Sequence, residues 1–144
     1  MVEKPHEAAI DAWIALARAQ RVATNHVEAR LKEAGLPPLA WYDALWELEK
    51  AGEAGLRPFE LETALLFAQY NLSRLAERMR KAGLIERRAC PQDRRGQFLH
   101  ISDDGRALRR RMWAVYAQAL EEAVGSRLTV EEAETLSTLL KKLT

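Results

Sequence analysis

Residues Leu56 to Arg88 read LRPFELETALLFAQYNLSRLAERMRKAGLIERR, and this stretch constrains the fold more than any other. Pro58 suits the first turn of a short helix carrying Phe59, Leu61 and Leu65. A second helical stripe, Leu72, Leu75, Ala76 and Met79, ends at Gly83. Two short helices this close need a tight turn near Leu66 to Ala68, which is helix-turn-helix spacing. After Gly83 the pattern becomes extended. Leu84 to Arg88 predicts a strand and Gln97 to Ile101 its partner. The loop between them holds CPQDRRG, where Pro91 and Gly96 fit a loop and not strand interiors. A helix-turn-helix followed at once by a β-hairpin is a winged helix.

The flanks are helical. Residues 6–34 predict one long helix, with Ile10, Trp13, Ile14, Ala17, Val27 and Leu31 at three- and four-residue steps. Gly35 stops it, and Pro37 and Pro38 bar its continuation. A second helix over 39–51 carries Trp41, Leu45 and Leu48 in one stripe with Tyr42 and Trp46 beside it. Ser102 is the expected N-cap of a helix from Asp103 to about Gly125, with Leu108, Met112, Val115, Tyr116 and Leu120 on its apolar face. The last helix starts at Thr129, where Thr129-x-x-Glu132 matches a capping box, and continues through Leu136, Leu139, Leu140 and Leu143. The expected fold is mainly α: a winged helix-turn-helix with a hairpin wing, flanked by long terminal helices. One domain of 1–144 is expected, with a lobe over 38–102 and dimerisation helices over 1–36 and 104–144. The terminal helices carry wide apolar stripes and have little domain to cover them. Burying each other across a two-fold axis is the simplest solution. The alternative is a monomer in which they fold back on their own domain.

Composition is ordinary for a folded protein, 48% hydrophobic and 30% charged. No apolar run approaches the ~20 residues of a membrane span. The N-terminus, MVEKPHEAAI, lacks a signal-peptide segment. A single cysteine, Cys90, excludes an intrachain disulfide framework, so a cytoplasmic location is expected. His6, His26 and His100 are scattered over different elements. With one cysteine they give no metal spacing and no nucleophile–base pair, so neither metal, cofactor nor enzymatic activity is expected. His100 is expected to be exposed or to donate to a phosphate. The net charge is +1, but its distribution is uneven: 74–111 carries +7 and the remainder −6. That split suits a polyanion-binding surface with solubilising flanks. Its plain alternative is an Arg-rich solvated helix face.

A helix fits the major groove of B-DNA, so the helix beginning near Ala68 is the expected reader. Gln69 can bridge an adenine and Arg74 a guanine. Tyr70 suits a thymine methyl or a phosphate, and Ser73 a phosphate. Arg78 and Lys81 lie farther along and contribute charge. Asn71 belongs to the same surface, and either it or Gln69 is the alternative helix cap. A hairpin tip is narrow enough for the minor groove, where Arg94 and Arg95 gain from its negative potential. A protein–protein module using the winged helix for pairing is the competing class, although a scaffold gains nothing from a +7 segment centred there.

In register, these landmarks resemble the MarR (multiple antibiotic resistance regulator) family of winged-helix regulators. They are Glu60-Leu61; Leu72-Ser73-Arg74-Leu75; Met79-x-x-x-Gly83-Leu84-Ile85-Glu86-Arg87; Asp93-Arg94-Arg95; Leu99-x-Ile101-Ser102-x-x-Gly105; and Leu128-Thr129-x-x-Glu132-x-x-x-Leu136-x-x-Leu139-Leu140. The resemblance implies a dimeric DNA-binding regulator, a repressor by family habit, on a pseudo-palindromic promoter site. It implies that Asp93 braces the wing by pairing with Arg95, with Arg87 and Arg88 as alternative partners. It also implies a small aromatic or phenolic effector, for which Trp13, Trp41, Tyr42 and Trp46 are the candidate pocket, core packing being the alternative for each. Cys90, flanked by arginines, is the candidate for redox control, although the family's peroxide sensors carry their cysteine near the N-terminus. One departure stands out. The family places a small or polar residue in the turn and Ser or Thr at the start of the reading helix, where this chain has Leu66, Phe67 and Ala68.

Overall fold

The computed structural model describes residues 2–68, 71–90 and 93–144, with the side chains of Cys90, Asp93, Arg94 and Arg95 outside that description. Its elements are α1 (Glu7–Glu33), α2 (Leu39–Ala51), a 3₁₀ turn (Gly52–Ala54), α3 (Pro58–Ala64), α4 (Leu72–Lys81), β1 (Ile85–Cys90), β2 (Asp93–Ile101), α5 (Asp103–Leu120), a π-helical turn (Glu121–Gly125) and α6 (Val130–Lys141). The chain forms two compact units, residues 31–115 and residues 1–30 with 116–144. No helix among the described residues is long and apolar enough to cross a membrane.

In the 31–115 unit, Leu45, Leu48, Leu61, Met79, Leu99 and Met112 are almost wholly buried. They come from α2, α3, α4, β2 and α5, so one core fixes all five elements. Each such side chain contributes about 1.5–3 kcal/mol by leaving water. The α4 stripe falls inward as its spacing requires, with Leu72, Leu75, Ala76 and Met79 all buried. Phe59 does not follow its stripe: it is 65% exposed. Only Leu61 of α3 reaches the core fully, because a seven-residue helix presents too little surface to bury both.

The wing is an antiparallel pair with Ile85 opposite Ile101, Arg87 opposite Leu99 and Ala89 opposite Gln97. Leu56 and Leu99 exchange backbone hydrogen bonds (3.0 and 2.7 Å), adding a third short edge to it. The strands run farther than expected. Gly96 lies within β2 and not in a loop, and the register shifts between Ala89 and Cys90. A glycine inside a strand beside a register shift marks a bulge, where a missing side chain lets the backbone bend. His100 is also corrected. It is buried at 6% exposure, with its Nε2 3.0 Å from the carbonyl oxygen of Glu53. Gly55 makes room for this packing, and Gly105 makes room for the backbone of Leu84 at the start of α5. A Cβ on Gly55, which has φ +66°, would lie 2.6 Å from the His100 ring, and one on Gly105 would meet the carbonyl of Leu84.

Helix ends follow their sequence signals. Ser102 Oγ accepts the N–H of Gly105 at 3.0 Å and donates to the carbonyl of Gly83 at 2.6 Å, joining the start of α5 to the exit of α4. Thr129 and Glu132 form the reciprocal capping box, at 3.1 and 2.9 Å. The helix expected to reach Gly125 does so by changing pitch. Its last turn widens, and Ser126 N–H bonds the carbonyl of Glu121.

In the other unit, Glu122 is held by α1. Its carboxylate accepts from Arg30 at 3.0 and 2.6 Å, and His26 Nε2 lies 3.1 Å away. The Arg30 bonds first, and His26 second, hold the Glu122 carboxyl below the usual carboxylate range. Beside this clamp an open, mostly apolar groove of about 530 Å³ runs between Val22 and Ala23 on one side and Val124, Leu128 and Leu136 on the other.

Candidate nucleic-acid interface

The turn between α3 and α4 is held by one long-range hydrogen bond and one local cap. Leu65 closes α3 and leaves it with ψ 139°, so the chain becomes extended. Phe67 then donates its N–H to Asp43 Oδ2, 3.1 Å away on α2. Farther on, Asn71 Oδ1 accepts the N–H of Arg74 at 3.0 Å and starts α4. The helix expected to begin near Ala68 therefore starts at Leu72. An Asn cap is strong, whereas Ala68 offers no side-chain acceptor. Of the two alternative caps, Asn71 is the one used. Gln69 and Tyr70 lie outside the described residues.

The capped start puts Ser73 and Arg74 in the first turn of α4. Both are exposed, as is Arg78 one turn later. The buried stripe occupies the opposite side, so this face is free of the lobe's own core. Glu77 sits among these cations. It takes a two-pronged ion pair from Arg80 (2.7 and 3.0 Å) and lies 3.7 Å from Arg87 on β1. The Arg80 hydrogen bond holds the Glu77 carboxyl below its ordinary range. The acid thus bridges α4 and β1.

On the wing, Arg87 and Arg88 are exposed, and Arg88 bonds Glu86 at 3.1 Å. At the wing base Arg57 stacks over Phe98, 5.1 Å from the ring centre. Asp93, Arg94 and Arg95 are placed by their backbone in β2. Their side-chain roles, including the Asp93 brace, lie outside the described residues, as does the thiol of Cys90.

The four aromatic pocket candidates are distributed between the units. Trp13, 70% exposed, belongs to the terminal-helix unit, whereas Trp41, Tyr42 and Trp46 lie on α2. Tyr42 is buried and stacks on Trp113 (5.9 Å, 23°). Trp46 lies under the guanidinium of Arg109 at 4.9 Å and near Lys50 at 5.7 Å. Arg109 pairs with Glu49 at 2.9 Å, both largely buried. Glu49 Oε1 and Arg109 Nε are buried without a hydrogen-bond partner among the described residues. Burial raises the Tyr42 hydroxyl above its ordinary value, partly offset by Arg109. Sequence reading missed Asp43, Glu49, Arg109 and Trp113. Asp43 interrupts the apolar pattern of α2, where a charge reads as surface, and Trp113 lies beside the α5 stripe and meets Tyr42 only in the fold. Glu49 and Arg109 carry no local signal because their partners are far away in the chain.

A profile of the MarR family matches residues 34–96. The chain is 30% identical over 123 residues to the multiple antibiotic resistance protein MarR of Escherichia coli K12, covering 83% of this chain and 84% of that one. It is 26% identical to the HTH-type transcriptional regulator MhqR of Bacillus subtilis, across 95% of this chain and 92% of the other. Among solved structures, Sco3205, a MarR family transcriptional regulator from Streptomyces coelicolor in complex with DNA, superposes with a TM-score of 0.87 at 26% identity, covering 99% of this chain and 89% of that one.

Proposed function

The chain belongs to the MarR family of transcriptional regulators, and from that premise we propose that it is a dimeric repressor of a pseudo-palindromic promoter site, released by a small aromatic anion. The observation that carries DNA reading is the Asn71-capped α4, whose exposed Ser73, Arg74 and Arg78 are followed at once by an arginine-rich hairpin. Arg74, in the first helical turn, suits the O6 and N7 atoms of a guanine. Ser73 suits a phosphate, and Arg78 adds charge. Gln69, Tyr70, Arg94 and Arg95 keep the roles assigned from sequence, with the hairpin tip in the minor groove.

Dimerisation is supported by the apolar side chains of the terminal helices. Ile10, Trp13, Val22, Leu136, Leu139 and Leu143 are between 43% and 70% exposed in the single chain. Such a density of exposed apolar surface calls for a partner. Release by an effector is supported by the aromatic and cationic side chains that α2 and α5 bring together, Trp46 and Arg109 lying 4.9 Å apart, since aromatic faces and a guanidinium are the groups that take an aromatic anion. The test is protection of the chain's own promoter region against nuclease, followed by binding to the protected duplex and to a scrambled duplex of equal composition. The protected duplex is expected to bind at least tenfold tighter at moderate salt. Equal binding to both contradicts sequence-specific repression.

A further inference from the structure

Asp43 is the acid that neither the sequence reading nor the family landmarks assign. It is 7% exposed, and its neighbours Tyr42, Ala44 and Leu45 are buried as well. A carboxylate in such a place loses most of its hydration, and the loss is offset only by a partner that favours the charge. That partner is the N–H of Phe67, 3.1 Å away and 24 residues along the chain. Phe67 stands just after α3 has opened out at Leu65. An N–H at such a point has lost its helical carbonyl, and turns commonly satisfy it with an Asp, Asn, Ser or Thr of their own. Leu66, Phe67 and Ala68 carry no such side chain. Asp43 supplies the missing acceptor from another helix.

We propose that Asp43 is a positioning residue for sequence reading: it pins the Phe67 amide to α2 and thereby fixes where Asn71 begins the reading helix. The role rests on the DNA-reading function proposed above. Its anchor is rigid, because Leu45 and Leu48 of α2 are at 0% exposure. Paired hydrogen bonds to a base edge tolerate little displacement of the helix start, since they weaken steeply with distance and angle. Phosphate contacts from long, mobile arginines tolerate more. Losing the Asp43 anchor therefore has a signature that general unfolding lacks. Discrimination between sequences falls while non-specific binding and its salt dependence persist.

The experiment compares wild type, Asp43→Ala and Asp43→Asn on the nuclease-protected duplex and its scrambled counterpart, across a salt series, with thermal melts and amide exchange at Phe67. Asp43→Ala is expected to bind the protected duplex about tenfold or more weaker and the scrambled duplex within about twofold of wild type. Asn retains an oxygen acceptor and is expected to recover most of the loss. If Asp43→Ala is unfolded at the assay temperature, Asp43→Asn decides, with a selective loss of about threefold expected and faster exchange at Phe67. Parallel losses on both duplexes, or no loss on the protected one, overturn the positioning role. An exchange rate at Phe67 unchanged in both variants overturns the anchor itself. Wild-type protein that fails to discriminate the two duplexes contradicts the DNA reading, which the variants alone do not.

Discussion

Single residues decide where α4 begins. Asn71 was one of two alternative caps in the sequence, and its carboxamide resolves the choice by bonding Arg74 N–H. Asn71→Ala is expected to cost about 0.5–2 kcal/mol of stability in denaturant melts. It is also expected to weaken DNA binding beyond that loss, because the same cap sets the first turn of α4. Arg95→Ala is expected to lose about 1–3 kcal/mol of DNA affinity, read by fluorescence anisotropy. An unchanged affinity removes the wing from the mechanism. His100 shows how a residue misleads when read alone. A histidine on a wing strand suggests a phosphate donor, but the carbonyl of Glu53 and the lack of a side chain at Gly55, against which the ring packs, let it sit inside.

At the scale of elements, much was legible because helix ends and apolar periods are local. The stripe of α4 and the capping box of α6 needed only neighbours three or four residues away; on α2 the expected stripe is buried at Leu45 and Leu48, whereas Trp41 is half-buried and Tyr42 is buried in its place. The bounds of the reading helix were less legible because its preceding turn is held by Asp43, an acceptor from a different helix. The longer wing strand was hidden for a related reason: Gly96 reads as a loop residue until a register shift accommodates it. The Arg109–Glu49 pair was not legible at all, since only the fold brings those positions together. The clamp on Glu122 makes a pH-dependent prediction. Its carboxyl is depressed in the folded chain, so the clamp stabilises at neutral pH. That contribution is lost as pH falls below the ordinary carboxylate range, through the lowered folded value. Melts of wild type and Glu122→Gln are therefore expected to differ at pH 7 and to converge in acid. A difference that persists in acid contradicts the clamp.

At the scale of the whole molecule, the charge division is the broadest signal the sequence carried. A segment of +7 in a chain of net +1 places most of the cationic surface on α4, the wing and the start of α5. Binding is accordingly expected to weaken steeply and linearly in log–log form as salt rises. The apolar faces of the terminal helices carry the other whole-molecule claim, that two copies present two reading helices together. Symmetry of the protein then imposes symmetry on the DNA, with half-sites about one turn apart. The most direct measurement is selection of binding sequences from a randomised duplex library by the full chain. Enrichment of an inverted repeat with half-site centres about 10 base pairs apart is the result predicted. Recovery of no common sequence, or of a single unrepeated element, contradicts it.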